Sequence, residues 1–170
     1  MTANRNPAEL IFSLEDAIRW RGELRRAGRR LVVTNGCFDI LHRGHAEYLA
    51  GSRALGDAQL ILVNSDSSVR ALKGPGRPVV DEYNRAYMLA ALESVDAVVI
   101  FDGERCDREL AALKPDLYVK GGDYTAEKLD PVERSVLLAA GTEIRFKPFV
   151  AGFSTTTIIG KILGTASAGH

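Results

Sequence analysis

Apolar residues fall into two alternating patterns along this chain. Short runs rich in β-branched residues recur at 31–35 (LVVTN), 59–65 (QLILVNS), 96–101 (DAVVIF), 116–120 (DLYVK) and 143–147 (EIRFK), each strand-like in length and composition. Between them, helical spacing marks 44–55, 82–93, 105–113 and roughly 126–140, and a last helix starts near Ser154. Ahead of the first run, SLEDAIRWRGEL places Ser13 three residues before Asp16, a capping pattern that predicts a leading helix. Strands alternating with helices predict a parallel sheet with right-handed crossovers. The expected fold class is therefore α/β, a Rossmann-like, doubly wound, five-stranded parallel sheet with helices on both faces. A leading helical segment over 1–30, one domain over 31–163 and a flexible tail over 164–170 complete the expected organisation. The stretch KGPGRPVVD (73–81) has two prolines and two glycines and predicts a mobile loop.

In such a sheet, ligands bind beyond the carboxyl ends of the strands, where the strand order reverses. The segments that follow the runs are NGCFDILHRGH, NSD, FDG, KGGDY and KPFVAGFSTTT, small, polar and glycine-rich. Phosphate suits that edge: glycine admits close backbone approach, and a helix N-terminus offers N–H groups and partial positive charge. Two common phosphate signatures are missing. Gly160-Lys161 is followed by Ile162, so there is no P-loop, and no G-x-G-x-x-G follows the first strand.

Composition changes this picture little. The chain has 170 residues, 46% apolar and 26% charged, which is enough for one domain with a real core. Its 22 basic side chains balance 22 acidic ones, so no broad nucleic-acid or membrane surface is expected. The arginines of RWRGELRRAGRR (19–30) fall all round a helical wheel and read as a solvated helix or a contact for an acidic partner. Cys37 and Cys106 form no disulfide framework, the N-terminus has no hydrophobic signal core, and no run approaches a membrane span. A cytoplasmic location follows as the expectation.

Two of only three histidines, His42 and His45, stand three apart just after the first strand. There GCFDILHRGH resembles the G-x-F-D-x-x-H-x-G-H motif of the nucleotidyltransferase superfamily that includes cytidylyltransferases and phosphopantetheine adenylyltransferase. The match covers Gly36, Phe38, Asp39, His42, Gly44 and His45. Further on, VNSD, LKGPGRPV, NRAYMLAALESVD, LYVKGGDY and FSTTTII resemble, in order and over about residues 31 to 162, the heptose 1-phosphate adenylyltransferases of ADP-heptose synthesis. In many bacteria those enzymes are fused behind a sugar kinase. No kinase half is present in this sequence, so the stand-alone form or an excerpt is expected.

The resemblance implies roles residue by residue. His42 and His45 become catalytic groups, sharing a helix face over the first strand. Asn35, Gly36, Cys37, Phe38, Asp39 and Gly44 become nucleotide contacts, as do Lys120, Gly121, Gly122 and Asp123, with Asp123 accepting from ribose hydroxyls. Ser154, Thr155 and Thr156 would donate to ATP phosphates, using the geometry of an ordinary helix cap. Asp66, Lys73, Arg77 and Arg85 would hold the sugar phosphate. Plainer readings stand beside these. The histidines could satisfy helix-end carbonyls, or join Asp39 around zinc, although no further His or paired Cys completes a shell. Cys37 could be a nucleophile, but more simply lends its backbone N–H. Residues 120–123 could be a strand-to-helix turn, Lys73 and Arg77 solvated loop charges, Arg85 a helix-surface arginine and Asp66 a helix cap.

The implied reaction is attack by a sugar 1-phosphate oxygen on the α-phosphorus of ATP, with pyrophosphate leaving. Phosphate needs no strong base, so positioning and charge stabilisation carry the catalysis. Magnesium is expected, bound mainly through the ATP phosphates, with no dedicated protein metal site. A separate sugar kinase and phosphatase would complete the pathway, and a homo-oligomer is compatible with the sequence. Two alternatives remain at this point. A cytidylyltransferase for a small polyol phosphate shares the first motif, but that branch resembles R-T-x-G-I-S where this chain has VAGFSTTT. A non-catalytic nucleotide-binding module would predict a damaged histidine motif.

Overall fold

A computed structural model describes residues 5–122, 128–148 and 154–167. Its five strands are β1 (Leu31–Gly36), β2 (Ala58–Asn64), β3 (Ala97–Phe101), β4 (Leu117–Gly121) and β5 (Glu143–Lys147). All pair in parallel, in the order β3-β2-β1-β4-β5. The helices are α1 (Leu14–Arg26), α2 (Arg43–Arg53), α3 (Asp66–Lys73), α4 (Glu82–Ala90), α5 (Asp107–Leu113), α6 (Pro131–Ala139) and α7 (Thr155–Ser167), with a 3₁₀ turn over Pro7–Leu10. This is the doubly wound α/β fold that the alternating patterns predict. The order reverses at β1, whose neighbours are β2 on one side and β4 on the other, so a crevice opens where the crossovers part.

Side chains alternate across each strand, and both faces are apolar, as a sheet covered on both sides requires. Leu31, Val33, Leu60, Leu62, Val99 and Tyr118 point to one face and meet Ala17 and Leu24 of α1, Leu110 of α5 and Leu137 of α6. Val32, Ile61, Val63, Val98 and Val119 point to the other and meet Leu49 of α2 and Leu89 of α4. Each fully buried leucine or isoleucine contributes on the order of 2 kcal/mol of burial free energy.

Capping residues set the helix starts. Ser13 accepts from the Asp16 amide, Ser65 from Ser68, Asp81 from Asn84, and Asp130 from Val132 and Glu133, with Pro131 in the first turn. The helix α3 is absent from the apolar pattern; its only buried residues are Ser68 and Val69. The cap position read for Asp66 belongs to Ser65, one residue earlier.

The arginine-rich leading helix is fastened inward. Arg21 is 3% exposed, pairs with Asp116 at 2.9 Å and donates to the Lys114 carbonyl at 3.1 Å, where Arg25 also donates at 2.8 Å. These two guanidiniums satisfy the carbonyl end of α5; Arg21 is buried there, while Arg25 stays exposed, as do Arg19 and Arg26. At the other terminus α7 spans Thr155–Ser167.

Candidate active site

A cavity of about 720 Å³ opens at the carboxyl ends of the strands, in the size range of small-molecule sites. Its wall is built first from the turn after β1. Phe38 adopts φ +47°, and its ring lies so close over Gly36 that a Cβ there would stand 2.9 Å from it. Only glycine at 36 permits that packing. The ring then meets His45 edge-on at 5.3 Å between centroids.

His42 is the cap residue of α2, with extended backbone, and His45 sits in its first turn. They share a face through this cap geometry rather than as two helical positions. Their rings stack 3.8 Å apart at 20°, and His42 makes no capping hydrogen bond with its side chain. Helix α2 is itself pinned from below. The Tyr48 hydroxyl donates to the Val119 carbonyl at 3.0 Å and lies 2.7 Å from the Thr34 hydroxyl, fixing the helix across β1 and β4. Burial pushes Tyr48 up to about 12, so it stays a neutral donor. Burial likewise lowers both histidines, His45 to about 4 with the neighbouring His42 adding to it. Both imidazoles are therefore mainly neutral near pH 7.

Asp39 lines the cavity, but its carboxylate is committed to the protein. Its fully buried carboxylate accepts the Val79 and Val80 amides at 2.8 and 2.9 Å and the Arg77 guanidinium. Burial pushes its pKa up, but these three donors together outweigh that and hold it below the ordinary carboxylate value. The loop after α3, expected to be loose, is thereby docked on the histidine motif.

Arg85 takes part in the same fastening. It is 1% exposed, so it is no surface arginine, and it does not line the cavity. It donates to the carbonyls of Cys37 (2.6 Å), Asn64 (2.8 Å) and Val80 (2.8 Å) and to the Asp66 carboxylate (2.8 Å). Asp66 and Arg85 thus pair with each other, whereas the sequence reading placed both on the sugar phosphate.

The other expected residues gather as a group. Asn35, Gly36, Cys37, Phe38, Gly44, Lys73, Arg77, Lys120, Gly121, Ser154, Thr155 and Thr156 line the cavity with the two histidines and Asp39. Gly122 is not in the lining; it turns at φ +108° and donates to the Lys147 carbonyl. Asp123 lies outside the described residues. Ser154 accepts the Thr157 amide at 3.0 Å as a cap, and Thr155 donates to the Ile40 carbonyl at 3.4 Å, tying α7 to the histidine turn.

Neither a zinc site nor a nucleophilic thiol emerges here. Asp39 is committed to the loop, the histidine rings face one another, and among the described residues no cluster of three or more His, Cys, Asp or Glu could hold a metal ion. Burial raises the Cys37 thiol despite Lys73 and Arg85 nearby, which keeps it protonated.

Sequence reading missed Asn64, Leu72, Glu104, Arg105, Leu129 and Glu133, all of which line the cavity. Glu104 and Arg105 follow the FDG segment at the carboxyl edge of β3, so their position could have nominated them. Leu129 and Glu133 flank the start of α6, with nothing in their spacing to distinguish them from core and capping residues.

The cytidylyltransferase-like family profile matches residues 33–161. The bifunctional protein HldE of Methylococcus capsulatus is 56% identical over 155 residues, 91% of this chain and 33% of that protein. HldE of Trichlorobacter lovleyi is 48% identical over 139 residues, 82% of this chain and 28% of that protein. The chain spans about a third of the length of these curated relatives. Among solved structures, the lipopolysaccharide core biosynthesis protein from Thermoplasma volcanium is 30% identical, with a TM-score of 0.59 over 72% of this chain and 98% of its own. Pantoate-beta-alanine ligase from Francisella tularensis shares the fold alone, at 11% identity and a TM-score of 0.60 over 88% of this chain and 75% of its own. The histidine turn, the crevice at the strand-order reversal and a profile match across most of the sequence agree: the chain belongs to the cytidylyltransferase-like family.

Proposed function

We propose that the protein transfers AMP from ATP to a sugar 1-phosphate, D-glycero-β-D-manno-heptose 1-phosphate by resemblance, releasing pyrophosphate and forming ADP-heptose for lipopolysaccharide or a related glycan. The observation that carries this reading is the stacked His42–His45 pair at the N-terminus of α2, set in a cavity that Ser154, Thr155 and Thr156 also line. The names of the relatives, HldE and a lipopolysaccharide core biosynthesis protein, support the pathway.

A phosphate oxygen of the sugar attacks the α-phosphorus in line, the bond from that phosphorus to the bridging oxygen breaks, and the electron pair leaves with pyrophosphate. His42 and His45 hold the α-phosphate region and, once charged by it, donate hydrogen bonds as negative charge moves onto the leaving group. The cap of α2 adds a partial positive charge at the same place. Lys73 and Arg77, on the β2 side, hold the sugar phosphate, with Arg77 set by Asp39. Asp66 and Arg85 act indirectly, by fixing the carbonyls of Cys37 and Asn64. Magnesium carried mainly by the triphosphate belongs to this proposal, where it would neutralise phosphate charge.

Domain limits at 31–163, action in the cytoplasm and dependence on a separate kinase and phosphatase belong to the same proposal. Among the described residues no helix is long and apolar enough to cross a membrane. A pyrophosphate-release assay over ATP, CTP, GTP and UTP with a panel of sugar 1-phosphates tests the reading. ATP with the heptose 1-phosphate should give the highest kcat/KM; equal or exclusive use of CTP contradicts the adenylyl assignment.

A further inference from the structure

Lys120 stands at the carboxyl end of β4, on the side of the cavity away from β2. Its ammonium donates to Asn35 Oδ1 at 2.9 Å and to the Tyr118 hydroxyl at 3.2 Å, and that hydroxyl donates to the same Asn35 oxygen at 2.7 Å. Glu133, only 3% exposed, brings a carboxylate oxygen within 3.9 Å of the ammonium. Its other oxygen accepts the Cys106 amide at 3.2 Å and lies 3.4 Å from the Cys106 thiol. Asn35, Lys120 and Glu133 all line the cavity, yet only Asn35 and Lys120 belong to segments that the motif comparison singles out.

A buried carboxylate is costly unless a cation or several donors compensate it, and here Lys120 and the Cys106 amide do so. The reverse also holds. A lysine that binds phosphate works best as an uncompensated point charge, whereas Glu133, 3.9 Å away, offsets a substantial part of the field of Lys120. What the compensated ammonium keeps is direction, since Asn35, Tyr118 and Glu133 fix where its N–H groups point. A fixed cluster with little net charge suits the uncharged acceptors and donors of a base or ribose. The groups that favour an anion, the α2 cap with the two histidines and then Lys73 and Arg77, belong to the turn after β1 and to the end of α3 with its loop, away from β4.

We propose that Glu133 is a positioning and specificity-determining residue that makes Lys120 read the nucleoside part of the bound nucleotide rather than its phosphates. The proposal rests on the nucleotide-binding reading above.

Calorimetric titration of the full chain with ATP, and separately with tripolyphosphate, tests it. In Glu133→Gln, ATP should bind about tenfold or more weakly, the size of one charge-assisted hydrogen bond. Tripolyphosphate should bind as tightly as before, or more tightly, because a negative charge beside Lys120 is gone. Lys120→Met should weaken ATP similarly, and adding Glu133→Gln to it should cost nothing further, since Glu133 acts through Lys120. Equal loss for both ligands, no loss for either, or additive losses in the double variant would overturn the proposal. If Glu133→Gln does not fold, Lys120→Met decides alone: weaker ATP with unchanged tripolyphosphate supports the proposal, and equal loss for both overturns it. An unaltered protein that binds neither ligand would contradict the nucleotide-binding reading instead.

Discussion

Removing the Asp39 carboxylate should release the loop that brings Arg77 to the cavity. In Asp39→Ala the amides of Val79 and Val80 and the Arg77 guanidinium lose their common acceptor. Each orphaned donor costs roughly 1–3 kcal/mol when buried. Val79 is 59% exposed, so water replaces part of the loss and the total falls to about 2–4 kcal/mol. Because the native carboxyl pKa is depressed, this stabilisation is present above the unfolded value of 3.8 and is lost as pH falls through the lower native one. Urea unfolding at neutral pH measures the global share of the loss. Limited proteolysis measures the local share: cleavage within 73–81 should quicken on the order of 10²-fold if the loop opens before the domain unfolds. Asp39→Asn, which keeps one acceptor oxygen, should fall between. Unchanged unfolding and unchanged cleavage in Asp39→Ala would refute the idea that this carboxylate holds the loop.

Other expectations concern the histidines. His45→Ala should lower kcat by something on the order of 10²–10³ while ATP affinity falls much less, since the donor matters most as charge develops; single-turnover kinetics beside calorimetry decides, and near-normal turnover would contradict a catalytic role. ATP binding near pH 7 should take up protons, because the triphosphate reverses the burial that lowers His45 to about 4; binding enthalpies in buffers of different ionisation heat should differ, and identical values would exclude the change of charge. Without nucleotide the same depression makes stability fall as pH drops from 6.5 towards about 4, where the unfolded chain binds the proton first; His45→Gln should flatten that limb of a urea-midpoint profile.

Much of this architecture was legible in the apolar pattern, because β-branched runs such as LVVTN and QLILVNS leave few alternatives once both sheet faces must be covered. The helix α3 was not, since its buried residues Ser68 and Val69 make no apolar stripe. For the site, a short motif located the histidine turn, and position after a strand located Lys120 and Ser154. Arg85 and Asp66 show where that reasoning ends. An exposed pair of these residue types fits a substrate site equally well, and only the carbonyls of Val80 nearby and of Cys37 and Asn64 from distant segments turn the guanidinium inward. Glu133 was hidden for the opposite reason, as an acidic residue in the first turn of a helix, where a capping role explains it at no cost.

The central claim is that the α-phosphoryl group passes to the sugar phosphate at the His42–His45 pair. Transfer from ATP labelled at the α-phosphorus, with heptose 1-phosphate as acceptor, tests it most directly. The label should appear in a nucleotide sugar, with one pyrophosphate released per label transferred, and His45→Ala should slow the transfer while still binding ATP. Label that stays in free nucleotide, or that passes to the sugar equally well in His45→Ala, would contradict the account.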